Sequence, residues 1–337
     1  MIESLLPAEL RQTREKIREL ATHHKGSRGS ILSLAGLVSE SERENQGAFL
    51  QSLKHLTESF DSGDRKWAEL MWLVEELAAV FPQTALEAAV SWALIGPVLS
   101  KAGLDRTRCE SQNGGWASVE NSAVTCNHLF LPPPARKALR LMGRGIAAVG
   151  RAEDARGQYF PAFDFSAGQR ILIPALAQPE GRAETLVLYY LVQDEGLRLE
   201  PCPAGKGVFP FRPASYWMEA RTISASRLEP ILKLTADQFQ AGLETYFLLL
   251  SAVFSGWARA GWQGLVRKKQ SGDFSPGLDA EISFLVTEIG RLQLGLFHLS
   301  RSRSFPGECY SARVEKLCLK GLHLASRAWR HFTSREH

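Results

Sequence analysis

The stretch VEELAAVFPQTALEAAVSW, residues 74–92, decides how the first part of the chain folds. Apolar residues recur at helical spacing up to Pro82, which ends the helix because proline lacks the backbone N–H that a helix interior needs. A second helix is predicted after it, with Thr84 as the N-cap and Glu87 completing a capping box. Glu87 is the one charged residue of this helix up to Leu99, so we expect the helix to be buried among others.

Length and composition exclude several classes of protein. A chain of 337 residues can form two or three domains, since domains typically have about 100–200 residues. The five cysteines form no C-x-x-C pair, so neither a disulfide framework nor a zinc site is indicated. With 40 Lys and Arg against 36 Asp and Glu, a nucleic-acid partner is not indicated. No signal peptide or membrane span is recognised, so we expect a cytoplasmic protein.

The remaining elements follow in the order helices, strands, helices. Further N-terminal helices are predicted near residues 7–24 and 43–60. After Gly103, turn and loop signals lead into segments rich in β-formers. The predicted strands lie in residues 168–176, 184–192, 197–201 and 216–223. The helical period then returns, and long helices are predicted over residues 236–269, 278–300 and 308–332. Thr235 and Gln238 are spaced as a capping box for the first of these three.

This order predicts a multidomain α+β fold. We expect an N-terminal α-helical domain over residues 1–104 and a middle antiparallel β-domain with a loop-rich entry over residues 105–230. A C-terminal α-helical bundle is expected over residues 231–337.

Element order and several segments resemble the acyl-CoA dehydrogenase family. EELAAVFPQTALE, residues 75–87, is similar to that family's segment of the form EELA(x)3P(x)2ALA. YYLVQDEGLRLEP, residues 189–201, is similar to its FLVP(x)3GV hairpin. FSGWARAGWQGLVRKK, residues 254–269, is similar to a helix that contains ARAAL.

The resemblance implies a function. Members of the family bind FAD between the β-domain and the C-terminal bundle. A glutamate removes the α-proton of an acyl-CoA or other acyl thioester, and the flavin accepts the β-hydride. Members also pair through the C-terminal bundle, so a homo- or hetero-oligomer is expected.

Some family motifs are missing from this sequence. The flavin-contacting run of the form (L/M)TEP(x)AGSD has no counterpart, and only SVENSA, residues 118–123, lies in its region. The YEGT segment that usually carries the catalytic glutamate is also absent. The R(x)2FG arginine falls near Arg267, but Gln270 and Ser271 stand where Phe and Gly are expected.

Two site residues follow from the resemblance. Glu244 lies near the alternative location of the base in a subset of the family, and its apolar neighbours include Phe239 and Phe247. Such neighbours favour a carboxylate with a raised pKa, although an exposed helix stripe has the same local sequence. Arg267 is the candidate for binding the FAD diphosphate, although cations at a helix C-terminus also complement the helix dipole.

Other features remain open at this point. The pair Gly256 and Gly261 suggests close approach between helices. Residues 301–337 have a local excess of basic residues, which either attracts phosphates or is a solvated helix face. GRGIAA, residues 143–148, fits a dinucleotide-binding pattern without the βαβ context that this pattern needs. The histidines show no metal-binding spacing, and no metal site is predicted.

Two functions therefore compete. The first is an FAD-dependent enzyme that oxidises an acyl thioester at the α,β bond, with a partner subunit completing the site if the protein is a heteromer. The second is a catalytically inactive protein of the same fold that acts as a binding or structural partner.

Overall fold

The structure is a computed structural model. It describes residues 11–12, 14–15, 18–19, 65–80, 85, 89, 92–93, 96–103, 124–126, 159–163, 170–177, 186–193, 197–201, 215–220, 230–272, 277–301 and 308–333. Its helices are α1 (Arg65–Val80), α2 (Gly96–Lys101), α3 (Ala236–Gln270), α4 (Leu278–Arg301) and α5 (Glu308–Thr333). Its strands are β1 (Val124–Cys126), β2 (Tyr159–Phe163), β3 (Arg170–Ala177), β4 (Leu186–Gln193), β5 (Leu197–Pro201), β6 (Ser215–Ala220) and β7 (Leu232–Thr235).

The chain divides into two compact units. The helical unit comprises Met1–Ala89 and Phe247–His337, and the second unit comprises Val90–Tyr246. The fold is thus α+β, with helices at both ends of the chain and strands between them. The boundaries between the three predicted domains stay a prediction.

Helix α1 forms part of the core of the helical unit. It ends at Val80, two residues before Pro82, as the proline predicts. Every residue from Leu70 to Ala78 is buried. Of the helix predicted after Pro82, the described residues include Ala85 and Ala89, which are helical and fully buried. Its proposed capping box lies outside the described residues, as does the helix predicted over residues 43–60.

The three C-terminal helices lie where the sequence places them, each to within one residue. The capping box of α3 is confirmed, because the Thr235 backbone N–H donates to Gln238 Oε1 at 3.1 Å and the Gln238 N–H donates to Thr235 Oγ1 at 3.3 Å. At the other end, Gly272 has a φ of 97° and closes the helix, and its N–H donates to the Lys269 carbonyl at 3.1 Å.

The close helix approach predicted from the glycine pair is confirmed. A Cβ atom added to Gly256 would lie 2.1 Å from the carbonyl oxygen of Glu75 in α1. A Cβ atom added to Gly261 would lie 2.8 Å from the Cβ of Ala328 in α5. Helix α3 therefore contacts α1 and α5 through positions where only hydrogen fits.

The second unit contains two sheets. One has four strands in the order β1-β3-β4-β7, and the other has three in the order β2-β6-β5. All pairs are antiparallel except β1 with β3. The predicted strands are confirmed, β5 with the predicted ends and β3, β4 and β6 with shifted ends, and the antiparallel arrangement holds for them. Val187 and Tyr189 of β4 are buried, and the Tyr189 ring lies 6.3 Å from that of Phe239 in α3.

Strands β1, β2 and β7 were not predicted. Strands β1 and β7 have three and four residues, and such short strands give little alternation to recognise. Strand β2 contains Pro161, which cannot donate to a ladder. Among the described strands, β2 pairs with β6 alone, so this proline lies at a sheet edge where it is tolerated.

One described helix, α3, has the length and hydropathy of a membrane span. Its most apolar window has a mean hydropathy of 1.2, and 83% of that window is buried inside the protein. Burial of this kind is what the core helix of a globular unit requires.

Candidate functional site

Glu244 lies in the N-terminal part of α3, which belongs to the second unit. Its side chain is half-buried, whereas those of Leu243 and Tyr246 are each 1% exposed. Glu244 has no hydrogen-bond or ion-pair partner among the described residues. No described residue therefore occupies its carboxylate, and its role as the base stays a prediction.

Arg267 lies in the last turn of α3, in the helical unit. Its side chain is exposed and has no partner among the described residues, whereas its neighbour Lys269 forms an ion pair with Asp279. Ser271 Oγ donates to the Lys268 carbonyl at 2.8 Å, so the Ser271 side chain forms part of the C-terminal end of α3. Binding of a diphosphate by Arg267 stays a prediction.

The two predicted site residues are not neighbours along the helix. Twenty-three positions separate Glu244 from Arg267, which is about six turns at 3.6 residues per turn. Their positions on α3 therefore do not bring the two side chains to the same small chemical group of a ligand.

A buried glutamate pair, Glu75 and Glu76 of α1, lies at the centre of a group of charges in the helical unit. The two side chains belong to residues that are 0% and 3% exposed. Carboxylates are almost never buried unless they are paired, because removing a charge from water is costly. The partners of the pair therefore decide its chemistry.

Glu76 is held by three arginines. Arg259 of α3 donates from Nη1 to Oε1 at 2.7 Å and from Nη2 to Oε2 at 2.8 Å, which is a bidentate contact. Arg14 donates from Nε to Oε1 at 2.6 Å, and the more exposed Arg18 donates from Nη2 to the same oxygen at 3.2 Å. Burial alone raises the pKa of Glu76, but the arginines outweigh it and lower the pKa to about 2.

Glu75 has a different environment. Its Oε1 accepts hydrogen bonds from Gln293 Nε2 of α4 and from Ser255 Oγ, the latter at 3.3 Å. Its Oε2 is buried and has no partner among the described residues. Burial therefore raises the pKa of Glu75, and the charges of Arg259 and Arg14 offset this only in part.

The buried glutamate pair organises the helical unit. Glu76 remains ionised at neutral pH and joins α1, α3 and the N-terminal segment that contains Arg14, and Glu75 adds α4 through Gln293. With 0% exposure, Glu75 lies in packed interior where a substrate atom has no access. We therefore assign this cluster to the fold and not to catalysis.

Sequence reasoning missed the connections of this cluster. Glu75, Glu76 and Arg259 all lie in segments that were used to predict helices, helix packing and the family resemblance, and their charges were not interpreted. A usable signal was present, since these charges interrupt apolar runs in helices that had to be buried. Pairing them required knowing which helices meet, and local spacing does not contain that information.

Metal ligation finds no support in the part of the chain that the structure describes. No group of three His, Cys, Asp or Glu side chains lies close enough there to hold an ion. His298 and His323 are exposed on α4 and α5, and Cys318 is a buried free thiol whose burial raises its pKa to about 12.

No protein-family model and no curated protein matches the sequence. The structure, in contrast, is similar to solved structures along nearly its whole length. One is a glutaryl-coenzyme A dehydrogenase in complex with glutaryl-CoA, with a TM-score of 0.57 and 10% identity, covering 98% of this chain and 86% of the other. Another is PigA with FAD and proline, with a TM-score of 0.64 and 11% identity, covering 98% and 88%.

A third similar structure is the butyryl-CoA dehydrogenase of Megasphaera elsdenii, with a TM-score of 0.51 and 10% identity, covering 97% of this chain and 88% of the other. At this level of identity, agreement along the whole chain is agreement of fold. The sequence predicts helices, then strands, then helices, and the structure has its elements in that order. The chain has the acyl-CoA dehydrogenase fold.

Proposed function

We propose that the protein is an FAD-binding oxidoreductase that removes hydrogen from the α,β bond of an acyl thioester. The observation that supports this most is similarity over 98% of the chain to a dehydrogenase bound to glutaryl-CoA and to a protein bound to FAD. A fold alone does not determine a reaction, so the reaction is proposed here in addition to the fold.

Glu244 is the proposed base. A base must lie within hydrogen-bond reach of the proton that it removes, and the carboxylate of Glu244 is not engaged by any described residue. Its half-buried position on α3 limits its contact with water. The flavin, when bound, supplies the hydride acceptor.

Arg267 is the proposed diphosphate-binding residue. Its guanidinium is exposed, carries no ion pair with a described residue, and presents a planar set of donors suited to phosphate oxygens. Backbone carbonyls at a helix C-terminus disfavour an anion. Arg267 and the adjacent Lys268 must therefore supply charge that exceeds this effect. Among the described residues, Arg267 and Lys268 at the end of α3 are the ones that we propose bind the FAD diphosphate.

A flavin spectrum tests the cofactor. The purified protein should be yellow, or should quench FAD fluorescence on titration. Arg267→Gln should weaken FAD binding about tenfold, because a charge-assisted contact contributes about 1.5–3 kcal/mol and part of it is retained by the neighbouring lysines. Arg313→Gln removes the same charge from an exposed position of α5 and should bind FAD like the wild type.

Substrate reduction of the flavin tests the base. Under anaerobic conditions, an acyl-CoA should bleach the flavin absorbance of the wild type. Glu244→Gln should retain FAD and bleach at least a hundredfold more slowly, since general-base catalysis contributes about 10²–10⁴-fold. Glu315→Gln, at another half-buried position on α5, is the control. Equal rates for wild type and Glu244→Gln would exclude Glu244 as the base.

The alternative is a non-catalytic protein that binds a partner. The observation in its favour is that the sequence has no counterpart of the flavin-contacting run before the β-strands. A colourless protein that takes up no FAD, alone or mixed with a co-expressed homologue, would support this alternative and exclude the enzyme.

We also propose that the protein is cytoplasmic and forms oligomers through its C-terminal helices. Helix α4 exposes Val286 and Leu294 by 46% and 43%. Surfaces of this kind are often covered by another subunit. Light scattering should give a mass above the 37.3 kDa of one chain. A single 37.3 kDa species across the concentration range would contradict oligomerisation.

A further inference from the structure

Helix α5 has a continuous line of basic residues, which we call the basic stripe. Its members are Arg313, Lys316, Lys320, His323, Arg327 and Arg330. They are spaced alternately by three and four residues, so on a helix of 3.6 residues per turn they lie within an arc of about 100°. Between the first and last members, every α5 residue in that arc is basic. The stripe is about 25 Å long at 1.5 Å per residue.

The stripe consists of two rows. The inner row is Arg313, Lys320 and Arg327, and the outer row is Lys316, His323 and Arg330. Within each row the residues are seven positions apart, so they recur on nearly the same side of the helix every two turns.

The neighbouring helix α4 already pairs with the inner row. Arg327 donates from Nε and Nη2 to the two carboxylate oxygens of Glu281, each at 2.7 Å. Lys320 Nζ lies 2.7 Å from Glu288 Oε2. Glu281 and Glu288 are themselves seven residues apart, and the pairing runs antiparallel. One further step brings Arg313 opposite Gly295, where no carboxylate exists.

The outer row has no such counterpart in the part of the chain that the structure describes. Lys316, His323 and Arg330 are all exposed, and none forms an ion pair with a described residue. Leu319, which is 49% exposed, lies beside them between Lys316 and His323. The surface thus combines a lysine, a histidine and an arginine at seven-residue spacing with an exposed leucine.

We propose that this outer row is a docking surface for an acidic helix of a partner protein, with carboxylates at seven-residue spacing. Helix α4 shows how such a helix meets α5, because Glu281 and Glu288 engage the inner row at the same spacing. Leu319 favours a protein helix over a phosphodiester backbone, because a helix can place an apolar side chain against it between the charges. This inference does not depend on flavin binding.

A designed peptide pair tests the proposal on the full-length protein. The first peptide is a labelled helix with glutamate at every seventh position and one leucine between successive glutamates. The second has the same composition, but its glutamates are not seven residues apart. Fluorescence anisotropy at low salt should show binding of the first peptide at least tenfold tighter than the second, and binding should weaken as salt is added.

Matched variants locate the binding surface. Lys316→Gln/Arg330→Gln should weaken binding of the spaced peptide about tenfold, as expected when two surface pairs of up to about 1 kcal/mol each are lost. Arg313→Gln/Lys233→Gln removes the same net charge from other exposed positions and should change affinity less than twofold. All four positions are exposed, and unchanged melting temperatures will show that folding is retained.

Several outcomes would overturn the proposal. They are equal affinity for the two peptides, equal loss in the two double variants, and no binding at millimolar peptide. Tighter binding of single-stranded RNA or of phosphatidylserine vesicles than of the spaced peptide would also overturn it. So would a change in self-association of the outer-row variant in sedimentation, because the occupant would then be a second copy of this chain.

Discussion

Replacing Gly256 by alanine tests how closely α1 and α3 approach. The added Cβ would lie 2.1 Å from the Glu75 carbonyl oxygen and 2.9 Å from the Ala78 Cβ. The first contact is to backbone, so no side chain can rotate away. Restoring an ordinary contact requires the helices to separate by about 1 Å, which forfeits a quarter to a half of the attraction of the atom pairs between them.

The net effect is the difference between two terms. Overpacking of a tight interior contact costs about 1–3 kcal/mol, and we take the upper end because the obstacle is backbone. Replacing glycine by alanine within a helix recovers about 1 kcal/mol. We therefore expect Gly256→Ala to lower the free energy of unfolding by about 2 kcal/mol.

Chemical denaturation followed by tryptophan fluorescence measures this difference, and Trp72 and Trp257 are buried reporters in the same unit. Gly290→Ala is the matched control, because Gly290 lies in α4 of the same unit and a Cβ there meets nothing within 4 Å. The control should be unchanged or more stable by up to about 1 kcal/mol. The reasoning is refuted if Gly256→Ala unfolds at or above the denaturant midpoint of the wild type.

Three further predictions concern buried ionisable groups. Glu76→Gln should destabilise the protein by about 3–5 kcal/mol at pH 7, because it leaves buried arginines unpaired. In acid titrations followed by circular dichroism this difference should shrink as pH falls from 4.5 to about 2, where the wild-type carboxyl itself takes up a proton. Glu75→Gln should gain stability relative to wild type as pH rises above 4.5, because the folded protein holds that proton more tightly than the unfolded chain does. A gain that is absent or reversed in urea titrations at pH 5 and 7 would contradict it. Cys318, whose pKa is raised to about 12, should resist iodoacetamide at pH 8 until the protein unfolds, as read by peptide mass spectrometry.

Local signals in the sequence were sufficient for the C-terminal helices. The capping box of Thr235 and Gln238 and the apolar period that follows act within a few residues of the helix that they define. Strand β5 was recognised in full for the same reason, since its alternation is local. Strand β1 was missed because its three residues pair with β3, more than forty positions later.

The candidate site was less predictable. Glu244 and Arg267 came from a family resemblance, and their local sequence fits an ordinary helix equally well. The contacts of Glu76 were not predicted at all, because Arg259 approaches it only when α1 and α3 pack through Gly256. The basic excess near the C-terminus was noticed as composition, whereas its division into two rows appeared only with the acidic residues of α4.

The long sequence separations around Glu76 have a consequence for synthesis of the protein. Glu76 follows Arg14 by 62 positions and precedes Arg259 by 183. While the ribosome is still translating the segment between Glu76 and Arg259, the Glu76 carboxylate has the N-terminal arginines but not Arg259 as partners. Burying this carboxylate in α1 would then be costly. The helical unit should therefore stay open until most of the chain has emerged, and chaperones would meet the apolar face of α1 during that interval.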